Sequence, residues 1–271
     1  MWKSGLLTWL AFNMTAGFVS AQDMSRLPDG ETTRFGSYSA WLIGPTEIYR
    51  HAALGDAVEA EGFVIEQDGS PLSYRLPADQ VYEDRRVRLT DVDGDGSPEA
   101  LIVRADLTQG ASLALYTIKG DEIDLMAESE PIGQRNRWLN PVGIANFSGS
   151  GEPLIAAVVT PHLSGSLRFY RIDGNKLINL GGLEGVTNHI NGSRDLDLSH
   201  VVDLDGDGSM EIVLPSLYRT RLVAVSFRQE RAKIETEWQV PSPIQRMSPA
   251  GEGKVKLELA NGQRPIVELQ K

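Results

Sequence analysis

The chain has 271 residues and no cysteine. Without cysteine, the protein has no disulfide, no lipid-modified cysteine and no thiol nucleophile. A metal ion or a closed sheet must therefore stabilise the fold where a disulfide would otherwise do so.

Motifs that mark catalytic sites are also missing. The four histidines lie far apart in sequence and form no His-Glu-x-x-His or similar metal-binding spacing. The chain has no Gly-x-Ser-x-Gly nucleophile motif, no phosphate-binding loop and no dinucleotide-binding fingerprint. We therefore expect a binding protein rather than an enzyme. The histidines are His51, His162, His189 and His200.

Positive charge is scarce, because the chain has 26 Lys and Arg residues but 37 Asp and Glu residues. Its formal net charge is −11. Binding to nucleic acid or to an anionic membrane surface needs clustered Lys and Arg side chains. We therefore expect neither partner. The acidic balance fits a soluble protein that binds cations.

The first residues have the pattern of an export signal. A basic start at Lys3 precedes a mostly apolar stretch, residues 5–19, and two small residues at 20–21. This order is typical of a secretory signal peptide, here residues 1–21, so we expect a mature start at Gln22 and a periplasmic or extracellular protein. Polar residues interrupt the stretch and no stop-transfer pattern follows, which makes a retained membrane anchor the weaker alternative. We expect no membrane span after cleavage, and a monomer.

An internal repeat is visible by eye. Asp-Val-Asp-Gly-Asp-Gly at 91–96 returns as Asp-Leu-Asp-Gly-Asp-Gly at 203–208, 112 residues later. About halfway between them, Asn-Phe-Ser-Gly-Ser-Gly at 146–151 keeps both glycines and loses all three aspartates. The unit is therefore about 56 residues long. We expect loops at 91–99 and 203–211 and a degenerate loop at 146–154, whose residues 146–151 carry no charge and should bind no metal.

Strand-like segments surround each loop. Segments such as 112–118 alternate between apolar and polar residues, which predicts half-buried strands, and no part of the mature chain keeps a helical period. Four antiparallel strands per unit of this length is the anatomy of a propeller blade. We predict a single all-β domain over residues 22–271, a propeller-like ring of four or five four-stranded blades. A hairpin around Asn261-Gly262 could close the ring. The alternatives are an open β-solenoid and two sandwiches.

The two acidic loops have the composition of calcium sites. The pattern Asp-x-Asp-x-Asp-Gly-x-x-Glu offers hard oxygen ligands in a flexible turn, which suits calcium. An EF-hand would need a glutamate where the chain has Ile102 and Leu214, so that motif is excluded. Ordinary solvated turns are the alternative. The predicted ligands are Asp91, Asp93, Asp95, Ser97 through its carbonyl and Glu99, and likewise Asp203, Asp205, Asp207, Ser209 and Glu211.

This arrangement resembles the FG-GAP or VCBS-type repeat of the integrin α-subunit propeller, in which a nine-residue acidic loop joins two strands of a blade. The resemblance covers about residues 85–250. It implies a β-propeller with two structural calcium ions. The Phe-Gly and Gly-Ala-Pro signatures for which the integrin repeat is named are not evident in this chain.

Two further stretches, 134–140 and 187–194, precede corresponding strands of successive units and should emerge on one face. Side chains of Arg, Asn, His and Trp build sites for polar or anionic ligands. The alternative is that these residues hold neighbouring blades together. The candidate ligand-binding residues are Arg135, Arg137, Trp138, Asn140, Asn188, His189 and Arg194.

The leading hypothesis is an exported, calcium-stabilised binding or scaffold module for an unknown protein or carbohydrate. The alternative is an exported carbohydrate-processing enzyme that uses the Arg, Trp and His loops. A pocket that joins two of these side chains to a carboxylate such as Asp195 or Glu130 would favour the enzyme. Propellers host both classes, so the fold alone does not decide.

Overall fold

The computed structural model describes residues 24–269. The predicted signal peptide lies outside these residues. Within them, no helix is both long enough and apolar enough to cross a membrane.

Within residues 24–269, twenty strands form three hydrogen-bonded sheets of 13, 4 and 3 strands. The large sheet consists of three antiparallel groups of consecutive strands, which are joined by the single pairings of Ala60 with Tyr82 and of Lys176 with Glu128, the latter parallel. We call these three groups and the two smaller sheets the first to fifth sheets. The first sheet contains β1 (Thr33–Phe35), β2 (Tyr38–Thr46), β3 (Glu59–Gln67) and β4 (Ser70–Arg75). In the second sheet, β5 (Gln80–Tyr82) and β6 (Arg88–Thr90) both pair with β7 (Glu99–Asp106), which is followed by β8 (Gly110–Lys119) and β9 (Glu122–Glu128).

The remaining three sheets repeat this order. The third contains β10 (Leu139–Ala145), β11 (Leu154–Val159), β12 (Ser166–Asp173) and β13 (Lys176–Leu183). The fourth contains β14 (His200–Val202), β15 (Glu211–Pro215), β16 (Arg221–Arg228) and β17 (Arg231–Gln239). The fifth has three strands, β18 (Ile244–Pro249), β19 (Lys254–Leu259) and β20 (Ile266–Glu268).

The sheets pack face to face, with a buried apolar layer between each neighbouring pair. Strand β7 shows how one strand serves two layers. Leu101 and Val103 join the layer shared with the third sheet, whereas Ala100 and Ile102 join the layer shared with the first. Successive side chains of a strand point to opposite faces, so a strand between two sheets is apolar at every position.

The all-β prediction is confirmed. Within residues 24–269 the helical structure is a single 3₁₀ turn, Ala52–Leu54. The alternating segments at 112–118, 166–172 and 221–227 lie in β8, β12 and β16. The three repeat loops each join two antiparallel strands, β6 to β7, β10 to β11 and β14 to β15, as the repeat predicted.

The predicted hairpin around Asn261-Gly262 forms, as β19 and β20, but its pairing differs from the expectation. In residues 24–269, the strands of the fifth sheet pair only with one another, and Arg26 pairs with Ile43 of the first sheet. No buried apolar cluster of these residues contains side chains from both the first and the fifth sheet. The middle strand of the fifth sheet, β19, exposes Lys254 and Lys256, which suits a terminal sheet with one face in water.

A long segment ties distant sheets together instead. We call residues 184–199, between β13 and β14, the strap. Its Gly192 amide donates to the Ala53 carbonyl at 2.9 Å, and its Asp197 carboxylate pairs with Arg86. The strap therefore links the start of the fourth sheet to the first and second sheets.

Candidate functional site

The first acidic loop, between β6 and β7, is a turn organised by its first aspartate. The two carboxylate oxygens of Asp91 accept hydrogen bonds from the Gly94 and Gly96 amides, at 2.8 and 3.0 Å. Both glycines have positive φ, 79° and 91°, which residues with a Cβ rarely adopt. The glutamate at position nine, Glu99, closes the loop by accepting from the Val92 amide at 2.9 Å.

The loop between β14 and β15 repeats this geometry. Asp203 accepts from the Gly206 and Gly208 amides at 2.7 and 2.9 Å, and Glu211 accepts from the Leu204 amide at 2.9 Å. The degenerate loop uses the same frame, because Asn146 accepts from the Gly149 and Gly151 amides at 3.0 Å each. The backbone turn therefore needs an acceptor at position one but no carboxylate at positions three, five and nine.

The carboxylates at positions one, three and nine converge in both acidic loops. One oxygen from each of Asp91, Asp93 and Glu99 lies within 4.8 Å of the others, and the same holds for Asp203, Asp205 and Glu211. Burial raises the pKa of the Glu99 and Glu211 carboxyls, and nearby aspartates raise it further. A divalent cation would relieve this repulsion, and the oxygen donors fit the ligands that calcium prefers.

One predicted ligand in each loop, the aspartate at position five, makes another contact. Asp95 accepts from the Ser97 amide at 2.7 Å, and Asp207 accepts from the Ser209 amide at 2.7 Å. These aspartates lie outside the group of three carboxylates in their loops. Three side chains, rather than four, therefore converge in each loop.

The two loops differ in their basic neighbours. Arg228 donates to Glu211 at 2.8 Å and lies 3.5 Å from Asp207. Glu99 accepts instead from the Thr117 hydroxyl at 3.1 Å, and within residues 24–269 it forms no ion pair. The first loop therefore holds a buried carboxylate without a compensating cation.

The candidate ligand residues lie at the other end of the sheets. In an antiparallel sheet, successive loops emerge at alternate ends. The three repeat loops emerge at one end of their sheets, whereas the next loop of each sheet and the links between successive sheets emerge at the opposite end. We call this opposite end the loop end.

Two adjoining cavities at the loop end, of about 160 and 480 Å³, share four lining residues and form one groove. We call this the loop-end groove. Its shared residues are Pro161, His162, Leu163 and Asn191. Arg137 and Trp138 line the smaller cavity, and His189 lines the larger. Its other lining residues are His51, Asn136, Thr160, Ile190, Leu217, Tyr218 and Arg219.

Three histidines from separate loops meet around Trp138. The His162 ring stacks on the indole at 5.9 Å between centroids, and the His189 ring meets it edge-on at 4.8 Å. His51 lines the same cavity. Sequence spacing gives no motif for this group, because its members come from the first sheet, the third sheet and the strap, and of the three only His189 is among the candidate residues.

A buried carboxylate lies behind His51. Glu83 is 1% exposed, and its Oε1 lies 2.5 Å from His51 Nδ1. Burial, together with the neighbouring Glu59 and Asp84, raises the Glu83 pKa well above its usual range. The Trp138 indole donates to the Glu83 carbonyl at 2.9 Å. This pairing fixes His51 and Trp138 in place at the groove wall.

Asn140 and Asn188 have structural roles. Asn140 is fully buried and donates to the carbonyls of Asn188 and Leu196, at 3.3 and 3.0 Å. Asn188 donates back to the Asn140 carbonyl at 3.0 Å. The pair locks the strap onto the third sheet, which is the alternative considered from the sequence.

The two outer arginines also make structural contacts. Arg194, in the strap, lies 3.0 Å from Asp56 and 3.4 Å from Asp29, and it does not line the groove. Arg135 donates to the Tyr49 carbonyl at 2.9 Å and lies over the Tyr49 ring. Of the seven candidate ligand residues, the structure brings Arg137, Trp138 and His189 to the groove.

No protein-family model matches the chain, and no curated protein matches it either. Among solved structures it is similar to Saccharomyces cerevisiae Sqt1, with 14% identity and a TM-score of 0.51 over 92% of this chain and 59% of that one. It is also similar to Chaetomium thermophilum Sqt1, with 11% identity and a TM-score of 0.44 over 88% and 55% of the two chains. This chain spans a little more than half the length of those proteins. Sqt1 is a β-propeller, so the propeller-like fold class is confirmed.

Proposed function

We propose that this protein is an exported β-propeller binding module that holds its ligand in the loop-end groove and is stabilised by calcium. The groove carries the proposal. Loops of the first, third and fourth sheets, the link before β10 and the strap all contribute to it. A concave surface built from several loops on a rigid set of sheets is the usual form of a binding site.

Peptide and oligosaccharide arrays test the binding role. The wild-type protein is compared with a Leu163→Ala/Tyr218→Ala variant, whose altered side chains are 56% and 81% exposed, so the fold should be retained. An Ile266→Ala variant, altered at an exposed side chain of the fifth sheet, is the matched control. A ligand lost only in the groove variant supports the proposal. Ligands that ignore the groove substitutions, or the absence of any ligand, would contradict it.

Calcium at the two acidic loops is supported by their matched carboxylate groups and by the degenerate loop, which keeps the turn without them. A calcium ion in the first loop would tie β6 to β7, and one in the second loop would tie β14 to β15. Bound calcium stabilises a fold by about 1.4 kcal/mol for each tenfold excess over its dissociation constant. We propose that both loops are of the FG-GAP or VCBS type.

Thermal unfolding tests the calcium sites. Wild-type protein and an Asp93→Ala/Asp205→Ala variant are melted in excess EDTA and in millimolar calcium. The proposal requires a Tm that rises with calcium in the wild type and not in the variant. Equal responses would mean that the loops are ordinary acidic turns.

Export is proposed from the first 21 residues of the sequence. Mass spectrometry of the protein recovered outside the cytoplasm should give an N-terminus at Gln22. Recovery of full-length protein in the cytoplasm alone would contradict export.

The enzyme alternative gains no support from the groove. Arg137 and Trp138 share one cavity, but Asp195 and Glu130 line cavities elsewhere. The arrangement that would have favoured carbohydrate processing is therefore not formed by these residues.

A further inference from the structure

The lining of the loop-end groove is unusual for this protein. None of its fourteen lining residues is Asp or Glu, although the chain has a net charge of −11. The three other cavities of comparable size all contain carboxylates, such as Asp197, Glu128 and Asp106. The lining of this groove therefore contains no acidic side chain, and the buried Glu83 lies behind it, against His51.

Two arginines stand at the groove without carboxylate partners. Arg137 donates to the Asn136 carbonyl at 3.2 Å, and the Nε of Arg219 is buried with no hydrogen-bond partner. Among the ion pairs of residues 24–269, neither guanidinium takes part. By contrast, Arg194 of the strap reaches two aspartates. A buried donor without an acceptor carries a free-energy cost that a bound acidic group would remove.

The backbone of the groove is strained at three lining residues. Asn136, Thr160 and Arg219 have φ values of 56°, 47° and 58°. The left-handed region is unfavourable for residues other than glycine, and most of all for a β-branched residue such as Thr160. Such strain clusters at binding sites, where the surrounding structure holds it in place.

The apolar part of the lining distinguishes a peptide from a sugar. Four aliphatic side chains, those of Pro161, Leu163, Ile190 and Leu217, lie beside the arginines. The Trp138 ring is only 2% exposed and is covered by two imidazoles, so it offers no open face for a sugar ring. Tyr218, 81% exposed, is the only freely accessible aromatic ring among the lining residues.

We propose that the loop-end groove binds an acidic peptide segment, with carboxylates paired to Arg137 and Arg219 and an aliphatic side chain between them. This inference rests on the proposed binding function and adds the chemical class of the ligand.

Fluorescence anisotropy with three labelled hexapeptides tests it, in millimolar calcium and at constant ionic strength. The first peptide is Glu-Leu-Glu-Glu-Leu-Glu, and the others carry Gln or Lys in place of every Glu. A galacturonate hexamer is the fourth probe. We expect the Glu peptide to bind and each of Arg137→Gln and Arg219→Gln to weaken it roughly tenfold. Arg34→Gln, which removes the same charge from the first sheet, should leave binding unchanged.

The outcomes separate the two proposals. If the Gln peptide, the Lys peptide or the galacturonate binds more tightly and loses affinity in the groove variants, the groove is a binding site and the acidic-peptide inference is wrong. If the Glu peptide binds but Arg34→Gln weakens it as much as the groove variants do, attraction is non-specific and the inference is wrong. If no probe binds at millimolar concentration, both proposals fail. Equal melting temperatures of the variants and the wild type in calcium exclude misfolding as the cause.

Discussion

His162 donates a hydrogen bond from Nε2 to Nδ1 of His189 across 2.8 Å, and His189 Nε2 in turn donates to the Ser193 carbonyl at 3.0 Å. A carbonyl can only accept, so the proton of a neutral His189 lies on Nε2 and its Nδ1 is the acceptor for His162. With both rings neutral, the two bonds form in one direction only, from His162 through His189 to Ser193. Burial, chiefly, lowers the pKa of both rings to about 4.

This pair predicts a loss of stability in mild acid. The folded pKa of each histidine is below its unfolded value of 6.5, so the unfolded state binds more protons between pH 6.5 and about 4. The contribution to stability is complete above pH 6.5 and is lost as the pH falls toward 4. We expect the pair to cost on the order of 1–3 kcal/mol over this range. Urea unfolding at a series of pH values measures it.

A His189→Gln variant is the control for that experiment. Asp195 raises the pKa of His189, and His51 and Arg219 lower the pKa of His162, so neighbouring charges also shape the pH profile. The variant should be less stable at pH 7 and should have a flatter pH profile than the wild type. Parallel profiles would show that His189 does not carry the effect.

The two acidic loops should respond differently to loss of their buried glutamate. Glu99 has no basic partner in the described residues, so Glu99→Gln should raise the Tm in EDTA by relieving repulsion and should lower the calcium response. Glu211→Gln removes the nearer of the two carboxylate partners of Arg228, so it should destabilise the protein by about 1–3 kcal/mol with or without calcium. Thermal unfolding of both variants in EDTA and in calcium gives the comparison. Identical behaviour of the two would contradict the role assigned to Arg228.

The degenerate loop tests which residue sets the turn. Asn146→Asp keeps an acceptor for the Gly149 and Gly151 amides, whereas Asn146→Ala removes it. We expect the Ala variant to lose about 1–3 kcal/mol of unfolding free energy and the Asp variant less than about 1 kcal/mol. Urea unfolding at pH 7 distinguishes them. Equal losses would mean that the bond from Asn146 to the Gly208 carbonyl, 3.0 Å long, matters more than the turn.

The sequence was most informative where a pattern is local. The acidic loops are read from spacing alone, because Asp91 and Gly96 act within one turn. The strands of the sheets are likewise visible as alternation, as in β8 and β12. The groove is not local, since His51, His162 and His189 come together only after three loops are placed by different parts of the fold. Residue type could not separate Arg137, which is unpaired at the groove, from Arg194, which is paired in the strap.

Asn140 shows why burial had to be known. From the sequence, Asn140 and Asn188 had the residue type of a ligand site, but both are 0% exposed and bond to each other's backbone. We expect Asn140→Ala to cost about 2–4 kcal/mol, because it leaves two buried carbonyls of the strap without donors. Arg194→Ala should cost less than about 1 kcal/mol, because the Arg194 side chain is 57% exposed and solvent screens its ion pairs. Urea unfolding measures both. Neither side chain lines the groove, so both variants, once folded, should bind the Glu peptide as tightly as the wild type does. A binding defect in a stably folded Arg194→Ala protein would mean that Arg194 belongs to the ligand site after all.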